Sequence, residues 1–371
     1  MVFNQSKKMA FFAFMAGFSL LFACQKKTET PVAPIIIVAP LEYIKDVATF
    51  PFGAALDPTR LRTDGSYSGV VKREHSSITV ENAQKWATIH PSKDVFKFND
   101  ADYIVDWAVQ NNKRAHGHTL LWHSSNPDWL KNFQGDSAAW ENLMKTHIQT
   151  VVGHFKGRVK SWDVVNEAFE NNGSLRLRGI SKAEDGSIWA QKLGEDYIAR
   201  AFKYAHETDP NALLFYNDFG QEGNAAKTKA IIEMANDLKK RGIPIHGLGL
   251  QFHIGVSQTD ANLETAIQQL AQTGLLIHIS ELDVLVSDWQ KNDKLQYTET
   301  LQNKQSAKYK FIAQTYRRLV PKNQQHGITT WNVGDSDSWV TNYLQYTDWP
   351  LLFDKNYERK KAYYGFLEGL K

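Results

Sequence analysis

Short apolar runs alternate along the chain with longer segments of helical periodicity, and this alternation is the strongest constraint on the fold. Eight runs rich in β-branched and aromatic residues are candidate strands: 50–56, 76–82, 114–122, 159–167, 213–219, 245–254, 275–284 and 327–335. Candidate helices lie between several of them: 99–112, 196–209, 225–242 and 262–274. Because strands that alternate with helices form parallel sheets, eight repeats predict an α/β fold, a (β/α)8 TIM barrel.

An open doubly wound sheet is the alternative arrangement for such a sequence. Sheets of that kind commonly bind nucleotides through a Gly-rich loop that follows a strand. Neither G-x-G-x-x-G nor G-x-x-x-x-G-K follows any candidate strand here. The barrel is therefore the preferred prediction, as a single domain over residues 41–371.

Polar side chains collect at the carboxyl ends of the candidate strands. The residues that come late in their runs are Glu81, His118, Glu167, Asn217, His253, Glu281 and Trp331. In barrel enzymes the catalytic residues lie at these ends of the strands. We therefore expect one site at the top of the barrel.

The alternation of side chains between the two faces of a strand refines this expectation. Gln251 and His253 are predicted to share one face of their strand, and Glu281 and Asp283 one face of theirs. By the same rule Glu167 is predicted to share a face of its strand with Asp163 and Val165.

Composition narrows the classes of partner. The formal net charge of +3 over 371 residues, without a long basic run, does not predict nucleic-acid binding. The 11 tryptophans can fill a core or offer a flat surface to a ligand such as a sugar ring.

The first residues predict export. A short basic region, Lys7-Lys8, precedes the apolar run 9–23, which is too short for a typical membrane-spanning helix. Ala23 and Cys24 then resemble the lipobox of bacterial lipoproteins, so we expect a signal peptide over 1–23 and a lipid on Cys24. A tether over 24–40, polar and then Pro-rich, would hold the domain off a membrane, facing the periplasm or the cell exterior. An ordinary signal peptide followed by an incidental cysteine is the alternative.

Two glutamates on the fourth and seventh candidate strands, Glu167 and Glu281, could face each other across the barrel. Glycoside hydrolysis uses such a carboxyl pair, in which one group protonates the leaving oxygen and the other attacks the anomeric carbon or activates water. The charge of one carboxylate raises the pKa of the other. We therefore expect a partly desolvated Glu167 to hold a proton near neutral pH.

Metal and serine-hydrolase chemistry are less favoured. His116, His118 and His123 are close in sequence, but on a strand His123 does not share the face of the other two, and H-E-x-x-H is absent. The chain also lacks the G-x-S-x-G of serine hydrolases. No metal and no cofactor are expected.

The ordered motifs from residue 41 onward resemble glycoside hydrolase family 10, the endo-β-1,4-xylanases. They are "VENAQKW" (80–86), "GHTLLWHSSNPDW" (117–129), "WDVVNEA" (162–168), "YND" (216–218), "GLGLQFHI" (247–254), "SELDV" (280–284), "WNVGDSDSW" (331–339) and "PLLFDKNYERKKAYY" (350–364). The resemblance implies a retaining hydrolase that cleaves internal β-1,4-xylosidic bonds of xylan. It also implies xylan and xylo-oligosaccharides as ligands, and we expect a monomer.

The resemblance assigns roles to individual residues. Glu167 would be the acid/base and Glu281 the nucleophile, with His253 and Asp283 holding Glu281 ionised and oriented. The remaining implied residues bind sugars: Glu81, Asn82 and Lys85 at the −2 subsite, Asn166 and Gln251 at the −1 hydroxyl, His118, Trp122, Trp331 and Trp339 as walls, and Tyr216 on the floor or the aglycone side.

Four positions depart from the family pattern. Gln84 stands at a common Met, His116 at an Arg or small residue, Ser125 at a Gln, and Asn332 at a Gly after the tryptophan. We expect the Asn332 and Ser125 changes to alter the local backbone or a hydrogen bond on the glycone side.

Two other functions share part of this pattern. A barrel glucanase or mannanase would use the same carboxyl pair, with a −2 subsite that accepts the C6 hydroxymethyl group of a hexose. A non-catalytic glycan-binding protein would need no carboxyl pair, whereas Glu167 and Glu281 are both present.

Overall fold

The computed structural model describes residues 42–177 and 186–371 of the chain. The predicted signal peptide, Cys24 and the predicted tether lie outside these residues. None of the helices described is both long and apolar enough to cross a bilayer.

Within the described residues the strands and helices follow one another in alternation. The strands are β1 (Phe52–Leu56), β2 (Ser77–Val80), β3 (Arg114–Gly117), β4 (Leu121–Trp122), β5 (Val159–Asn166), β6 (Leu213–Asp218), β7 (Gly247–Leu250), β8 (His253–Gly255), β9 (Leu276–Leu285) and β10 (Gln325–Thr330). The helices are α1 (Ile44–Val47), α2 (Pro58–Thr63), α3 (Gly65–Glu74), α4 (Trp86–Ile89), α5 (Asn99–Gln110), α6 (Asp128–Lys131), α7 (Ser137–His154), α8 (Ile188–Leu193), α9 (Tyr197–Thr208), α10 (Ala225–Lys240), α11 (Asp260–Ala271), α12 (Glu299–Leu319), α13 (Trp339–Leu344) and α14 (Lys361–Gly369).

Eight of the strands close into a parallel barrel. Around the barrel the order is β1-β2-β3-β5-β6-β7-β9-β10, and β10 pairs again with β1. The closure is seen in the register, where Phe52 of β1 pairs with Ile328 of β10 and Gly53 with Ser77 of β2. The predicted (β/α)8 barrel is confirmed and the open sheet is excluded, while β4 and β8 are short extensions at the top of the barrel.

The barrel strands are buried almost throughout because both of their faces are covered. Every residue of β1 and β2 is buried, and in β5 only Lys160 is exposed. Outer helices present an apolar stripe to these strands, as α9 does with Ile198, Phe202 and Ala205. Several helices begin at a capping side chain, for example Asp136, whose carboxylate accepts the N–H of Ala139 at 2.8 Å.

Glycines on the inner face of β7 leave room for large neighbours. A Cβ on Gly247 would lie 2.0 Å from the Phe215 ring, and one on Gly249 would lie 2.1 Å from Oδ1 of Asn217. Gly247 therefore leaves room for Phe215 to fill the barrel, and Gly249 leaves room for Asn217 to reach across it.

A buried carboxylate ties the two ends of the described domain together. Glu74, fully buried at the end of α3, accepts the backbone N–H of Ile44 at 3.1 Å and the hydroxyl of Tyr363 at 2.9 Å. Its other oxygen accepts Nη2 of Arg359 at 2.7 Å. Three segments far apart in sequence thus meet on one side chain.

We predict that Glu74→Ala lowers the free energy of unfolding by about 3 kcal/mol or more, since it leaves a partly buried Arg359 and two other donors without their acceptor. Urea denaturation followed by circular dichroism measures the change. The matched control is Glu42→Ala, which removes an exposed ion pair with Lys371 and should change the free energy by about 0.5 kcal/mol or less. Equal effects of the two substitutions would contradict the assignment.

Candidate active site

A cleft of 1010 Å³ crosses the mouth of the barrel at the carboxyl ends of its strands. The predicted site residues that line it are Glu81, Asn82, Lys85, His118, Trp122, Asn166, Glu167, Gln251, His253, Glu281, Trp331 and Trp339. Of the site residues predicted in the barrel, Asp283, Tyr216 and the late strand residue Asn217 do not line it. The structure therefore brings the predicted polar ends of six barrel strands, β2, β3, β5, β7, β9 and β10, to one place.

Several cleft residues were not predicted from the sequence. They are Asp57, Arg60, His123, Ser124, Phe219, Gly220, Glu222, Trp289, Asp337 and Tyr343. Asp57 and Phe219 directly follow strands β1 and β6, so the rule of late strand positions could have found them. Trp289 and Tyr343 lie in segments after β9 and β10 without a comparable signal in the sequence.

Asn166 and Glu167 both face the cleft although they are neighbours in the chain. Strand β5 ends at Asn166, and Glu167 takes a left-handed backbone with φ of 56°. This conformation turns the Glu167 side chain to the same side as Asn166, whose Nδ2 donates to Oε1 of Glu167 at 3.1 Å. The simple alternation predicted for this strand therefore fails at its last step, because the backbone has left the strand.

Side-chain amides connect the two carboxylates. Nδ2 of Asn217 lies 2.7 Å from Oε1 of Glu281 and 2.9 Å from Oδ1 of Asn166. Nε2 of Gln251 donates to Oε1 of Glu167 at 2.9 Å and lies 3.3 Å from Oδ1 of Asn166. The carboxyl groups of Glu167 and Glu281 thus belong to one hydrogen-bonded network whose amides fix the orientation of both.

His253 lies between Glu281 and Asp283. Its Nε2 is 3.2 Å from Oε2 of Glu281, and its Nδ1 is 2.8 Å from Oδ2 of the fully buried Asp283. Burial acts to lower the pKa of His253, but Asp283 and Glu281 outweigh it and raise that pKa to about 10. Asp283 also accepts Nε1–H of Trp339 at 2.7 Å, so the imidazolium and the indole share one carboxylate.

The environment of Glu167 differs from the expectation. Burial acts to raise its pKa, but His123 and hydrogen bonds from Gln251 and Trp122 outweigh burial and hold the pKa below its ordinary value. The indole of Trp122 donates to Oε2 at 2.8 Å. In the ligand-free cleft Glu167 is therefore ionised at neutral pH, and the expected proton is not held there.

The charged residues predicted for sugar binding line the cleft beside Trp122. Nζ of Lys85 donates to Oδ1 of Asn82 at 2.8 Å and lies 5.2 Å from the centre of the Trp122 ring. Burial raises the pKa of Glu81 and lowers the pKa of Lys85, each against the other's charge. Both groups are thus poorly hydrated and able to bond to hydroxyl groups of a ligand.

Tyr216 lies beneath the cleft and not on its wall. It is fully buried, its hydroxyl donates to Asp218, and the hydroxyl oxygen accepts the N–H of Ala168 at 2.9 Å. Asp218 in turn lies 2.7 Å from Nζ of Lys227, and neither of these side chains is exposed. Tyr216 therefore supports the turn after Glu167, in contrast to the predicted sugar contact.

Comparison with known proteins identifies the family. The profile of glycosyl hydrolase family 10 matches residues 42–369 of the chain. The chain belongs to glycosyl hydrolase family 10.

Relatives of the family 10 chain include three curated proteins. Endo-beta-1,4-xylanase Xyn10C of Cellvibrio japonicus is 36% identical over 356 residues, which cover 90% of this chain and 58% of the relative. A beta-1,4-xylanase of Dictyoglomus thermophilum is 36% identical over 320 residues, covering 85% of this chain and 87% of its own length. Exoglucanase XynX of Acetivibrio thermocellus is 35% identical over 334 residues, 87% of this chain and 29% of its own length. The chain thus spans little more than half of the first relative.

Solved structures agree with the barrel. Native xylanase10C of Cellvibrio japonicus superimposes with a TM-score of 0.83 at 34% identity, covering 89% of this chain and 73% of that one. A variant of the same enzyme, solved in complex with xylopentaose, has the same TM-score and identity and is covered over 69%.

Two departures from the family 10 pattern have structural explanations. Asn332, which stands at the usual Gly, keeps a left-handed backbone with φ of 86° and accepts the N–H of Trp339 on its side-chain oxygen at 2.9 Å. Buried Gln84 accepts the N–H of His118 at 3.3 Å. Asn332 therefore takes a left-handed conformation that Gly readily adopts, and its side chain contacts the backbone of a cleft tryptophan.

The three histidines that are close in sequence do not meet at one point where a metal ion could bind. His116 and His118 both approach Oδ2 of Asp163, at 3.1 and 2.9 Å, while His123 lies 3.6 Å from Glu167. Among the described residues another trio does meet, because nitrogens of His116, His278 and His326 lie within 4.8 Å of one another inside the barrel.

That buried trio is held by hydroxyl groups. His116 lies 2.7 Å from Oγ of Ser161, and His278 lies 2.8 Å from Oγ1 of Thr329. Nη1 of Arg114 is 3.5 Å from His326, and its positive charge opposes a divalent cation at this place. Burial, followed by neighbouring charges that include Arg114, holds the pKa of His278 and His326 well below the ordinary value. His278 and His326 are therefore neutral imidazoles, and His116 contacts the carboxylate of Asp163.

We predict that His253 remains an imidazolium in the free protein up to a pH near 10. Because the pKa is higher in the folded than in the unfolded state, its stabilising contribution is complete below about pH 6.5 and is lost as the pH rises through 10. Titration of the His253 ring by NMR, assigned with His253→Gln, measures this directly.

Asp283→Asn should lower the midpoint of the His253 titration by more than one pH unit. His246 provides an internal comparison, since burial and the neighbouring His206 lower its pKa without a carboxylate beside it. A midpoint for His253 near 6.5 would contradict the ion pairs.

Proposed function

We propose that the chain is an endo-acting, retaining β-1,4-xylanase that cleaves internal bonds of xylan. The observation that carries the proposal is the pair of Glu167 and Glu281, linked through Asn166, Asn217 and Gln251 at the mouth of a family 10 barrel. Relatives named as xylanases, and a related structure with xylopentaose, supply the substrate class.

In the first step, Glu281 attacks the anomeric carbon of the −1 sugar. A bond forms between its carboxylate oxygen and that carbon while the bond to the leaving oxygen breaks, and Glu167 gives its proton to that oxygen. The products of the step are a glycosyl ester on Glu281 and a shortened chain that leaves. The imidazolium of His253 holds Glu281 in the ionised, attacking form.

In the second step, water replaces the leaving chain. Glu167, now a carboxylate, takes a proton from the water while the water oxygen attacks the anomeric carbon and releases Glu281. Two inversions at one carbon leave the β configuration of the substrate in the product.

The low pKa of Glu167 in the free cleft suits the second step and not the first. We infer that substrate binding supplies the change, since a sugar beside Trp122 and Gln251 removes water and competes for the donors that stabilise the carboxylate. On substrate binding the pKa of Glu167 would rise, so that Glu167 holds the proton needed in the first step. Once the charge of Glu281 is lost in the ester, the pKa would fall, so that Glu167 is the carboxylate needed in the second step.

Sugar contacts follow from the walls of the cleft. We infer that Asn166 and Gln251 bond to the 2-hydroxyl of the −1 sugar, and that Glu81, Asn82 and Lys85 bond to the hydroxyls at −2. His118, Trp122, Trp331 and Trp339 would surround the sugar rings.

A glucan is the second candidate substrate, because one relative is named an exoglucanase. The −2 subsite decides between them, since a hexose adds a hydroxymethyl group that a site crowded by Trp331 and Trp339 would exclude. Parallel rates on xylan, carboxymethyl-cellulose and mannan measure this preference.

We predict that residues 41–371 release new reducing ends from xylan and that the first product detected by proton NMR is the β-anomer. Retention follows from the two displacements at one carbon. An initial α-anomer, or no new reducing ends, would refute the proposed reaction.

Glu281→Ala should lower kcat on xylan by about 10⁴-fold or more, because the attacking group is lost. The matched control is Glu170→Ala, which removes another buried glutamate near the top of β5 that does not line the cleft. Folding of each variant is checked by its melting temperature. Loss of activity only in the Glu281 variant supports its role as nucleophile, and near wild-type activity in that variant excludes it.

We also propose that the protein is exported and anchored by a lipid on Cys24. The support is the sequence of basic region, apolar run and Ala23-Cys24. In a bacterial host, labelled palmitate should enter the full-length protein and the protein should sediment with membranes, whereas Cys24→Ala should remain unlabelled. An exported wild-type protein that is unlabelled and released would refute the anchor.

A further inference from the structure

Two large aromatic side chains stand exposed at the rim of the cleft. The side chain of Trp289 is 43% exposed and that of Tyr343 is 77% exposed, and both residues line the cleft. By contrast, Trp331 deeper in the cleft is 5% exposed. Water-exposed aromatic surface beside a ligand cleft is typical of a binding surface.

The two rim residues flank a tryptophan that is fixed in place. The ring centre of Trp339 lies 6.0 Å from that of Trp289 and 5.8 Å from that of Tyr343. Trp339 itself is held by Asp283, which accepts its indole N–H at 2.7 Å, and by Asn332, which accepts its backbone N–H. Trp289, Trp339 and Tyr343 therefore form one aromatic surface, called the rim below.

A left-handed turn and a capped helix hold the residues of the rim. Asp288 and Trp289 both take left-handed backbone, with φ of 50° and 66°, and Oδ1 of Asp288 accepts the N–H of Ser257 at 2.8 Å. Tyr343 lies on α13, whose first residue follows the capping side chain of Ser338. The strained turn at 288–289 turns the Trp289 side chain toward the cleft and away from the core.

Exposure alone does not make a binding surface, and Tyr364 illustrates this. Its side chain is 56% exposed on α14, where it packs edge-on against Tyr363 and does not line the cleft. The rim differs from Tyr364 because it continues the wall of the cleft outward from the nucleophile side.

The position of the rim indicates which part of a polysaccharide it meets. A main-chain sugar bound between Glu167 and Glu281 contacts the inner tryptophans, whereas exposure increases outward from Trp331 to Trp289 and Tyr343. We infer that a group that reaches the rim from a sugar bound beside Trp331 extends toward solvent. Substituents on the main-chain sugar next to the cleaved bond have this direction.

Charge narrows the class of substituent. Among the described residues that line the cleft, the lysine and arginine side chains are Lys85 and Arg60, which bond to Asn82 and to Tyr357 and are not stacked on the rings of the rim. The imidazolium of His253 is already paired with Glu281 and Asp283. Among these cleft-lining residues no lysine or arginine contacts the rings of the rim, so an acidic substituent gains no ion pair from them, whereas a neutral sugar can stack on the rings.

We propose that Trp289 and Tyr343, together with Trp339, bind a neutral pentosyl substituent of the arabinofuranosyl type on the main chain beside the cleaved bond. This inference rests on the proposed function, since it assumes a substituted xylan as substrate. It makes the rim the part of the site that discriminates between linear and decorated chains.

The experiment compares the double variant Trp289→Ala/Tyr343→Ala with the wild type, each also in the Glu281→Ala background. Substrates are a linear xylo-oligosaccharide and the same chain with arabinofuranosyl or glucuronosyl substituents. The arabinosyl-to-linear ratio of kcat/KM, and of affinity measured by calorimetry, should fall about tenfold in the double variant because stacking is lost. The glucuronosyl-to-linear ratio should change by less than about twofold.

Two controls separate stacking from a folding defect. Trp289→Phe/Tyr343→Phe should restore most of the arabinosyl ratio, and Tyr364→Ala should leave every ratio unchanged. An unchanged arabinosyl ratio in the double alanine variant, or an equal fall for the glucuronosyl chain, overturns the proposal. The calorimetric ratio tests the rim even if no chain is cleaved, and absence of cleavage refutes the proposed reaction alone.

Discussion

The imidazolium of His253 is the interaction on which the rest of the cleft depends. Glu281 and Asp283 are both buried on one face of β9, two residues apart, and their charges would repel each other in a region with little water. His253 contacts both carboxylates, so one positive charge compensates the pair. Without that cation, one carboxyl group would take up a proton, and Glu281 could not be both ionised and oriented.

Much of this arrangement was predictable from the sequence, because it depends on patterns that the barrel imposes. All eight barrel strands coincide with apolar runs, and the shared faces of Gln251 with His253 and of Glu281 with Asp283 follow from side-chain alternation. The long helices Ser137–His154 and Glu299–Leu319 were not among the predicted helices. In the first of them the buried residues Trp140, Met144, Ile148 and Val151 do recur at helical spacing, so the sequence carried a signal for it.

The features that escaped prediction depend on backbone geometry and on distant partners. The left-handed turn at Glu167 ends the alternation of β5, and no local pattern in "VVNEA" announces a positive φ. The lowered pKa of Glu167 depends on Trp122 and Gln251, which are 45 and 84 residues away in the chain. The family resemblance assigned Tyr216 to the floor or the aglycone side, but Tyr216 is fully buried and its hydroxyl bonds to Asp218 and Ala168, since adjacent residues of a regular strand face opposite ways.

Trp339 connects the chemistry of the cleft to its rim. Its indole N–H donates to the same Oδ2 of Asp283 that lies beside His253, and its ring centre is 4.9 Å from that of His253. A ligand that shifts Trp339 from the rim side must therefore weaken or strengthen a hydrogen bond to Asp283. That change reaches Glu281 through a single imidazolium, so a group bound at the rim can alter the orientation of the nucleophile as well as the affinity of the chain.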